Sequence, residues 1–299
     1  MNQFVINYNG NDVFGYKWVL EKGAKANILI VHGMSEHCER YDEFAKYLNS
    51  KSYNVYALDH KGHKNNVIYG KDKLGVWSRD SFEECVDRVK KEFDEVSANG
   101  LPTYIFSHSM GSFMTQRFME KYPGVSKKVV LCGTSGPQSV FKFGRFATRL
   151  HCFAKKKDKP SKFLNSLFFM GYNKKFKKEK NEFAWLSANE ENVHSYIQDE
   201  YCGFTQSRGF FLSFVEGICR VFSKKEFNKI AKEPKILLIA GKDDPVGNYG
   251  KSIKKLQNKY TKKGISSRMV LYPGLRHEIL NENIKINIFE EVYNFFETN

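Results

Sequence analysis

The sequence predicts an α/β domain in which helices cover both faces of a mostly parallel central β-sheet. Two observations support this fold class. Short apolar runs typical of buried strands alternate with amphipathic helical patterns along most of the 299 residues. An apolar content of 41% and an aromatic content of 15% supply enough side chains for a sizeable core. These values exclude a largely disordered chain.

The predicted elements follow one another in a regular order. The strands cover residues 4–8, 14–20, 27–31, 53–58, 103–106, 128–132, 236–240 and 267–272. The helices between and after them cover residues 38–50, 81–98, 111–121, 249–263 and 285–297. Because the carboxyl ends of parallel strands meet at one edge of a sheet, we expect functional groups in the loops that follow the strands.

Residues 137–232 interrupt this alternation. Helical patterns within them cover residues 140–153, 162–169, 192–201 and 210–222, and the lysine-rich stretches 155–160 and 174–180 are expected to be solvated loops or helix ends. The segment holds 19 of the 48 basic residues, 9 of the 33 acidic residues and 15 of the 26 phenylalanines. An insertion at this edge of the sheet would lie over the crevice as a lid. We therefore predict a core of residues 1–136 and 233–299 and a helical cap of residues 137–232, called the cap segment below.

Charge and cysteine content narrow the function classes. The net charge is +15, but lysines outnumber arginines by 38 to 10, whereas nucleic-acid readers use arginine for bidentate base contacts, so we expect no nucleic acid. No run approaches the roughly 18 apolar residues of a membrane span, and the first residues lack the pattern of a secretory signal. The cysteines lack a Cys-x-x-Cys pair, which predicts reduced thiols in a cytoplasmic protein without zinc or disulfides: Cys38, Cys85, Cys132, Cys152, Cys202 and Cys219.

A tight strand-to-helix turn contains the candidate nucleophile, Ser109. The strand runs into Ser107 and His108, and a helical pattern starts at Gly111. In such a turn the serine Oγ projects from the sheet edge, and small residues two positions before and after it let the backbones pass closely. Gly111 is one of these, whereas Ser107 stands where glycine is usual. We expect Ser107 to crowd the turn slightly and to alter turnover at most.

An acid and a histidine follow later strands in the order that a nucleophilic serine needs. The serine hydroxyl becomes reactive when an imidazole accepts its proton and a carboxylate orients that imidazole. Asp243 and Asp244 come directly after the seventh predicted strand, and His277 follows the eighth. Singly, an aspartate before proline is a common helix start and His277 an ordinary loop residue. The order of the three groups favours catalysis, and we choose Asp244 because Pro245 holds its backbone extended.

Two backbone amides are candidates for stabilising an oxyanion. The N–H of Met110 directly follows the serine, and the N–H of Met34 lies in the loop after strand 27–31. We predict no metal and no cofactor, and we interpret residues 59–63 as a polar turn. The nearby imidazoles and carboxylates lack the spacing of the metal motif His-Glu-x-x-His: His32, Glu36, His37, His60 and His63.

Five motifs stand in order along the chain. They are residues 32–37 (His-Gly-Met-Ser-Glu-His) with Arg40-Tyr41, residues 59–63 (Asp-His-Lys-Gly-His), residues 107–111 (Ser-His-Ser-Met-Gly), residues 241–246 (Gly-Lys-Asp-Asp-Pro-Val) and residues 272–278 (Tyr-Pro-Gly-Leu-Arg-His-Glu). Together they resemble bacterial monoacylglycerol lipases and lysophospholipase-like α/β-hydrolases, which are grouped by sequence with serine aminopeptidases. Residues 193–204 also resemble the stretch that leads into the second half of the cap in these enzymes.

The resemblance covers nearly the whole chain and implies an α/β-hydrolase fold. It also implies that Ser109, Asp244 and His277 are a catalytic triad and that the amides named above are the oxyanion donors. The chain departs from the family pattern at Ser107 and at Lys64, where glycine is usual.

We expect a carboxylic-ester hydrolase that acts on monoacylglycerols or lysophospholipids. The phenylalanine-rich cap segment favours an acyl chain, since each buried methylene contributes about 0.8 kcal/mol. Its lysines favour peripheral contact with anionic lipid or micelle surfaces, at roughly 1 kcal/mol per basic residue. A lysine bias in the genome explains the charge equally well.

Alternatives stay open at this point. A small-ester esterase or a peptidase acting at free amino termini would use the same scaffold, and a non-catalytic binding protein would keep the fold without the reaction. An intact triad argues against the binding protein. A peptidase needs an acidic group for the substrate ammonium, and the candidates in the cap segment are Glu182, Glu190, Glu191 and Glu216.

Overall fold

The computed structural model describes residues 1–298 and contains one eight-stranded sheet. Its strands are β1 (Asn2–Tyr8), β2 (Asn11–Trp18), β3 (Ala26–Val31), β4 (Tyr53–Leu58), β5 (Thr103–His108), β6 (Lys128–Cys132), β7 (Lys235–Gly241) and β8 (Ser267–Tyr272). The spatial order is β1-β2-β4-β3-β5-β6-β7-β8. Strands β3 to β8 pair in parallel, and β1 and β2 add an antiparallel edge. This is the mostly parallel sheet that the sequence predicts.

Helices connect the parallel strands and cover both faces of the sheet. They are α1 (Asp42–Ser50), α2 (Lys64–Ile68), α3 (Ser81–Ser97), α4 (Met110–Lys121), α5 (Ser139–Cys152), α6 (Lys162–Phe168), α7 (Glu190–Gln198), α8 (Arg208–Val221), α9 (Lys224–Phe227), α10 (Lys251–Lys263) and α11 (Lys285–Glu297). None of the described helices is long and apolar enough to cross a membrane.

The core lies on both sides of the central strands. All six residues of β3 are buried, as a parallel strand with helices on both faces requires. On one face, apolar side chains of β3 pack with α3, α4, α8 and α10. On the other face, they pack with α1 and α11. Helices therefore cover both faces of the sheet, and the loops at the carboxyl ends of its strands contain the candidate site residues.

The cap segment supplies α5 to α9, all between β6 and β7. Helix α8 packs its phenylalanines into the same apolar cluster as α3 and α4, so the segment is attached to the core through a shared interior. The division of the chain into a core domain and a cap domain stays a prediction.

The structure moves several predicted boundaries for local reasons. The predicted helix 249–263 starts only at Lys251, because Asn248, Tyr249 and Gly250 have positive φ angles that an α-helix does not accept. The predicted helix 38–50 opens with the 3-10 turn Cys38–Tyr41. The lysine-rich stretch 174–180, expected to be a solvated loop or helix end, contains short 3-10 turns.

Candidate active site

Ser109 occupies the turn between β5 and α4. Its φ of 49° and ψ of −118° lie outside the regions that most side chains adopt, and such conformations persist only where the surroundings enforce them. The backbone N–H of Ser109 donates to the carbonyl of Cys132 on the neighbouring strand β6 (3.0 Å), and the carbonyl of Ser109 accepts from Ser112 in α4 (2.9 Å). The turn is thus locked to the sheet on one side and to the helix on the other.

Ser107 fits its position without crowding the turn. Its side chain is fully buried and its Oγ donates a hydrogen bond to the carbonyl oxygen of Val130 on β6 (2.9 Å). The hydroxyl therefore points along the sheet toward β6 rather than into the turn. The slight crowding expected from the sequence is absent.

The structure brings together the three residues predicted as a triad. The ring nitrogen Nε2 of His277 lies 2.8 Å from Oγ of Ser109, and Nδ1 lies 3.0 Å from Oδ2 of Asp244. Asp244 is completely buried and His277 is 2% exposed. The other carboxylate oxygen of Asp244 accepts from the N–H of Val246 (2.8 Å). A proton on Nδ1 is therefore fixed between His277 and Asp244, which leaves Nε2 free to accept the serine proton.

Asp243 and Asp244 point in different directions. Asp243 forms an ion pair with Lys175 of the cap segment (2.9 Å), and both side chains are partly exposed. Only Asp244 reaches His277. The structure thus separates the two acids that the sequence left side by side.

The two predicted oxyanion amides flank Ser109. Met34 follows Gly33 in the loop after β3, and Met110 is the first residue of α4; both line the same cavity as Ser109. Within residues 1–298, neither amide donates a hydrogen bond to a protein acceptor. An N–H at the start of a helix is free to bind an anionic oxygen.

A buried charged network lies behind the serine. The carboxylate of Glu36 accepts from the N–H of Gly33 and from the hydroxyl of Tyr41 (3.0 Å), and Nδ1 of His108 lies 2.9 Å from it. Burial opposes a charge on His108, but the neighbouring Glu36 carboxylate outweighs burial and raises the pKa of His108. Nε2 of His108 faces the carbonyl of His277 at 3.4 Å. Both ring nitrogens thus face acceptors, which suits the imidazolium form.

Arg40 extends this network to the cap segment. Its guanidinium donates to both carboxylate oxygens of Glu278, each at 2.7 Å, and to Oδ1 of Asn192 in α7 (3.1 Å). Asn192 in turn donates to Glu278 (2.7 Å). Burial alone would raise the pKa of the Glu278 carboxyl, but Arg40 holds it below its usual value. The residue after the candidate catalytic histidine is therefore tied to the cap segment.

Three buried histidines support the loop that contains Met34. The Nε2 of His32 accepts from the N–H of His60 (3.0 Å), and the Nε2 of His60 faces the carbonyl of His32 (3.0 Å). The Nε2 of His63 accepts from the N–H of Ser35 (3.3 Å). Burial lowers the pKa of all three, to about 3 for His32. Residues 59–63 thus form the expected turn after β4, but the side chains of Asp59, His60 and His63 are buried and support the loop.

One group of metal-type side chains converges within the described residues. His37, Asp199 and Cys202 place ligand atoms within 4.8 Å of one another. However, Nε2 of His37 already forms a hydrogen bond with Asp199 (2.8 Å), and burial raises the pKa of the Cys202 thiol, which favours the protonated form over a thiolate ligand. Protein hydrogen bonding therefore accounts for the contact between His37 and Asp199.

A cavity of about 570 Å³ opens above Ser109. This volume falls in the range of small-molecule binding sites. The cap segment provides most of its lining, which is largely aromatic: Phe141, Phe143, Phe168, Phe169, Tyr172, Phe183, Trp185, Tyr196, Phe204 and Phe214. The Trp185 ring lies 5.1 Å from the ring of His277. An apolar group bound in this cavity would lie beside both the serine and the histidine.

Sequence reasoning missed the roles of Glu36, Arg40, His108 and Glu278. They stand inside or beside the quoted motifs, so a signal was present, but their partners lie far away in the chain. The hydrogen bond between His108 and Glu36 joins residues 72 positions apart, and that between Arg40 and Glu278 joins residues 238 apart. No local pattern shows such pairings.

Comparison with known proteins places the chain among hydrolases. The sequence profile of the serine aminopeptidase S33 family (Hydrolase_4) matches residues 22–284. The rat monoglyceride lipase is 34% identical over 112 residues, which are 36% of this chain and 34% of that protein. The human monoglyceride lipase is 29% identical over 154 residues, 49% of this chain and 48% of that protein. The chain thus spans a third to a half of the length of these curated relatives.

Solved structures share the fold across the whole chain. A thermostable carboxyl esterase from Bacillus coagulans, solved with glycerol, superposes with a TM-score of 0.91 at 22% identity, covering 99% of this chain and 97% of that one. A soluble variant of the Saccharomyces cerevisiae monoglyceride lipase, solved with a substrate analogue, has a TM-score of 0.75 at 17% identity and covers 98% and 94%. These likenesses identify an α/β-hydrolase fold. With a family match over 22–284, the chain belongs to the serine aminopeptidase S33 family.

Proposed function

We propose that this protein is a serine hydrolase that cleaves carboxylic esters of monoacylglycerol or lysophospholipid type through an acyl-enzyme. The observation that carries the proposal is the hydrogen-bonded chain from Ser109 through His277 to Asp244 at the base of an aromatic cavity. The family and the curated monoglyceride lipases that match part of the chain support the same reaction class.

The residues have defined roles in the proposed reaction. Oγ of Ser109 attacks the ester carbonyl carbon while Nε2 of His277 takes its proton. The carbonyl oxygen becomes an oxyanion, which accepts hydrogen bonds from the N–H groups of Met34 and Met110. The buried Asp244 stabilises the imidazolium, which then gives the proton to the departing alcohol oxygen as the C–O bond breaks. Water, deprotonated by His277, attacks the acyl-enzyme and releases the fatty acid and Ser109.

The cavity lining favours an acyl substrate over a peptide. Most of its cap residues are apolar or aromatic, and burying an acyl chain there yields about 0.8 kcal/mol per methylene. Of the four acidic candidates for binding a substrate ammonium, Glu182 alone lines the cavity, and Glu216 pairs with Arg149. The cavity lining therefore gives little support for an amino-terminal peptidase activity.

We further propose that the cap segment contacts anionic lipid surfaces from the cytoplasmic side. Apolar residues recur on one exposed face of α5 and continue beyond it: Val140, Phe143, Phe146, Leu150 and Phe153. Basic side chains lie on or near the same helix: Lys142, Arg145, Lys155, Lys156 and Lys157. Apolar exposure combined with positive charge suits a lipid interface.

The proposed activity is tested with the wild-type protein and Ser109→Ala. A fluorophosphonate probe is expected to label the wild type and not the variant, because phosphonylation requires Oγ of Ser109. A series of p-nitrophenyl esters from acetate to laurate, followed by monoacylglycerols and lysophospholipids, defines the substrate. We expect kcat/KM to rise with chain length to at least octanoate. A steep preference for the acetate ester would contradict a lipid substrate. A wild-type protein that the probe does not label would indicate a binding protein.

A further inference from the structure

Ser35, the residue after the proposed oxyanion donor Met34, has an unusual conformation. Its φ of 52° lies in the left-handed region, which costs a side-chain-bearing residue roughly 1–3 kcal/mol unless the surroundings enforce it. The residue is only 6% exposed. Something in the structure must therefore hold it.

Hydrogen bonds satisfy every polar group of Ser35. Its N–H donates to Nε2 of His63 (3.3 Å), and its Oγ donates to the carbonyl of Phe204 (3.1 Å) and accepts from Nε2 of Gln206 (3.0 Å). Its carbonyl accepts from the hydroxyl of Tyr196 and from the N–H of Gly203, each at 3.0 Å. Four of these five bonds come from the cap segment.

The other side of Met34 is fixed by the core. The N–H of Gly33 donates to the carboxylate of Glu36, which also faces His108, the residue before Ser109. The peptide that carries the Met34 N–H therefore lies between two anchored neighbours. Gly33, which precedes Met34, is held by Glu36 of the core, and Ser35, which follows Met34, is held by its own hydrogen bonds.

The protonation state of His63 is compatible with this role. Its Nδ1 faces the carbonyl of Lys61 at 3.0 Å and must donate, so Nε2 carries the lone pair that accepts from Ser35. The imidazole is completely buried. The anchor on the N–H of Ser35 thus belongs to the core, and the anchors on its Oγ and carbonyl belong to the cap segment.

We propose that the cap segment positions the oxyanion donor: Tyr196, Gly203, Phe204 and Gln206 hold Ser35 in its left-handed conformation and so direct the Met34 N–H toward the carbonyl oxygen of the substrate. The cap segment then contributes to the chemical step and not only to the substrate cavity. Ser35 and Tyr196 are positioning residues, since neither touches the reacting atoms in this role. The inference rests on the proposed ester hydrolysis.

The tests are Tyr196→Phe and Ser35→Ala, singly and combined. Tyr196→Phe removes one bond to Ser35 while keeping the ring and its contact with the Arg40 guanidinium, 5.0 Å away. Ser35→Ala removes the two bonds of Oγ but keeps the bonds of the backbone. A matched control is Tyr122→Phe, which also removes one tyrosine hydrogen bond, to Asp87; neither residue lines the cavity.

Two readouts separate positioning from a merely structural effect. One is the split between kcat and KM for p-nitrophenyl butyrate. The other is the affinity of an alkyl trifluoromethyl ketone. Addition of Ser109 Oγ to its carbonyl carbon sends the serine proton to His277 and makes the ketone oxygen an oxyanion without releasing a leaving group. The ketone therefore reports the oxyanion site directly.

We expect each single variant to lower kcat about 10-fold and the double variant about 100-fold, since loss of an oxyanion donor costs ~10²–10³ and partial misplacement costs less. KM should stay within about threefold, ketone affinity should fall by the same factor as kcat, and Tyr122→Phe should match the wild type. If only KM or the melting temperature changes, the inference is overturned while the proposed function stands. A wild type inert toward ester and ketone overturns both. If Ser35→Ala does not fold, the kcat and the ketone affinity of Tyr196→Phe alone test the inference.

Discussion

Gly111 and Val31 approach so closely that no side chain fits between them: a Cβ on Gly111 would lie 2.1 Å from the carbonyl oxygen of Val31. The contact joins the first turn of α4 to the end of β3. It sets how far the helix can slide over the sheet, and hence where Ser109 stands relative to the loop that carries Met34. Of the two small positions around Ser109, the one at Gly111 is the demanding one.

Ser107→Gly and Gly111→Ala should therefore behave in opposite ways. Ser107→Gly loses a buried hydrogen bond to Val130, at about 1 kcal/mol of unfolding free energy, and leaves kcat within about twofold. Gly111→Ala forces α4 away from β3 and should cost about 3 kcal/mol or more together with most of the activity. Urea unfolding and ester kinetics measure both. A large rise in kcat for Ser107→Gly would mean that Ser107 does crowd the turn.

The exchange Asp244→Asn should lower kcat by about 10³–10⁴-fold without a comparable change in stability. An asparagine keeps the shape but removes the negative charge and favours the wrong tautomer of His277. Asp243→Asn is the matched control, because it changes the neighbouring acid and loses only a solvent-exposed pair with Lys175. Ester kinetics of the two variants decide the assignment. A strong loss in Asp243→Asn with an active Asp244→Asn would reverse it.

The sequence predicts those parts of the site whose position depends on nearby residues, and not those held by residues far away in the chain. Ser109, Asp244 and His277 each follow a strand, so their convergence follows from the alternation of strands and helices. The placement of Met34 cannot be predicted from this alternation. The next residue, Ser35, is held by His63 and by cap residues more than 160 positions away in the sequence. Residues 59–63 resemble a polar turn in sequence, and their burial depends on distant contacts such as the packing of His60 and His63 against His32.

Those three histidines should make the protein sensitive to acid. Burial keeps the folded-state pKa of His32, His60 and His63 below the unfolded value of about 6.5. Below about pH 6.5 these histidines are protonated in the unfolded chain but stay neutral in the native state. The free energy of unfolding therefore decreases as pH falls toward the folded-state pKa, which is about 3 for His32. From pH 7 to pH 5 the loss is roughly 2 kcal/mol for each histidine that stays neutral.

Urea unfolding at pH 7 and pH 5 measures this loss. His60→Gln should keep the donor to the carbonyl of His32 and remove one titrating group, so its stability should fall less between the two pH values than that of the wild type. His108 acts in the opposite direction: Glu36 raises its pKa, so it adds stability as pH falls. An equal drop in wild type and His60→Gln would show that His60 is protonated in the folded protein.

The exposed face of α5 should determine binding to lipid vesicles. Phe146 is 67% exposed and does not line the cavity, so Phe146→Glu removes an apolar contact and adds a repulsive charge without touching the site. Burying a phenylalanine contributes roughly 1.5–3 kcal/mol, and each basic residue near an anionic surface about 1 kcal/mol. We therefore expect Phe146→Glu to weaken partitioning into vesicles of phosphatidylglycerol and phosphatidylcholine at least 10-fold, and raised salt to weaken binding of the wild type.

Vesicle sedimentation measures that partitioning, and the matched control is Ile286→Glu, which places the same charge at an apolar residue 51% exposed in α11, outside the cap segment. Ile286→Glu should bind vesicles as the wild type does. Hydrolysis of a soluble short ester verifies that both variants keep an intact site. Equal loss in both variants would mean that net charge alone drives binding, and no binding of the wild type would remove the lipid surface from the proposed function. A loss confined to Phe146→Glu would assign the contact to α5, where the exposed apolar row has lysine and arginine side chains on or near the same helix.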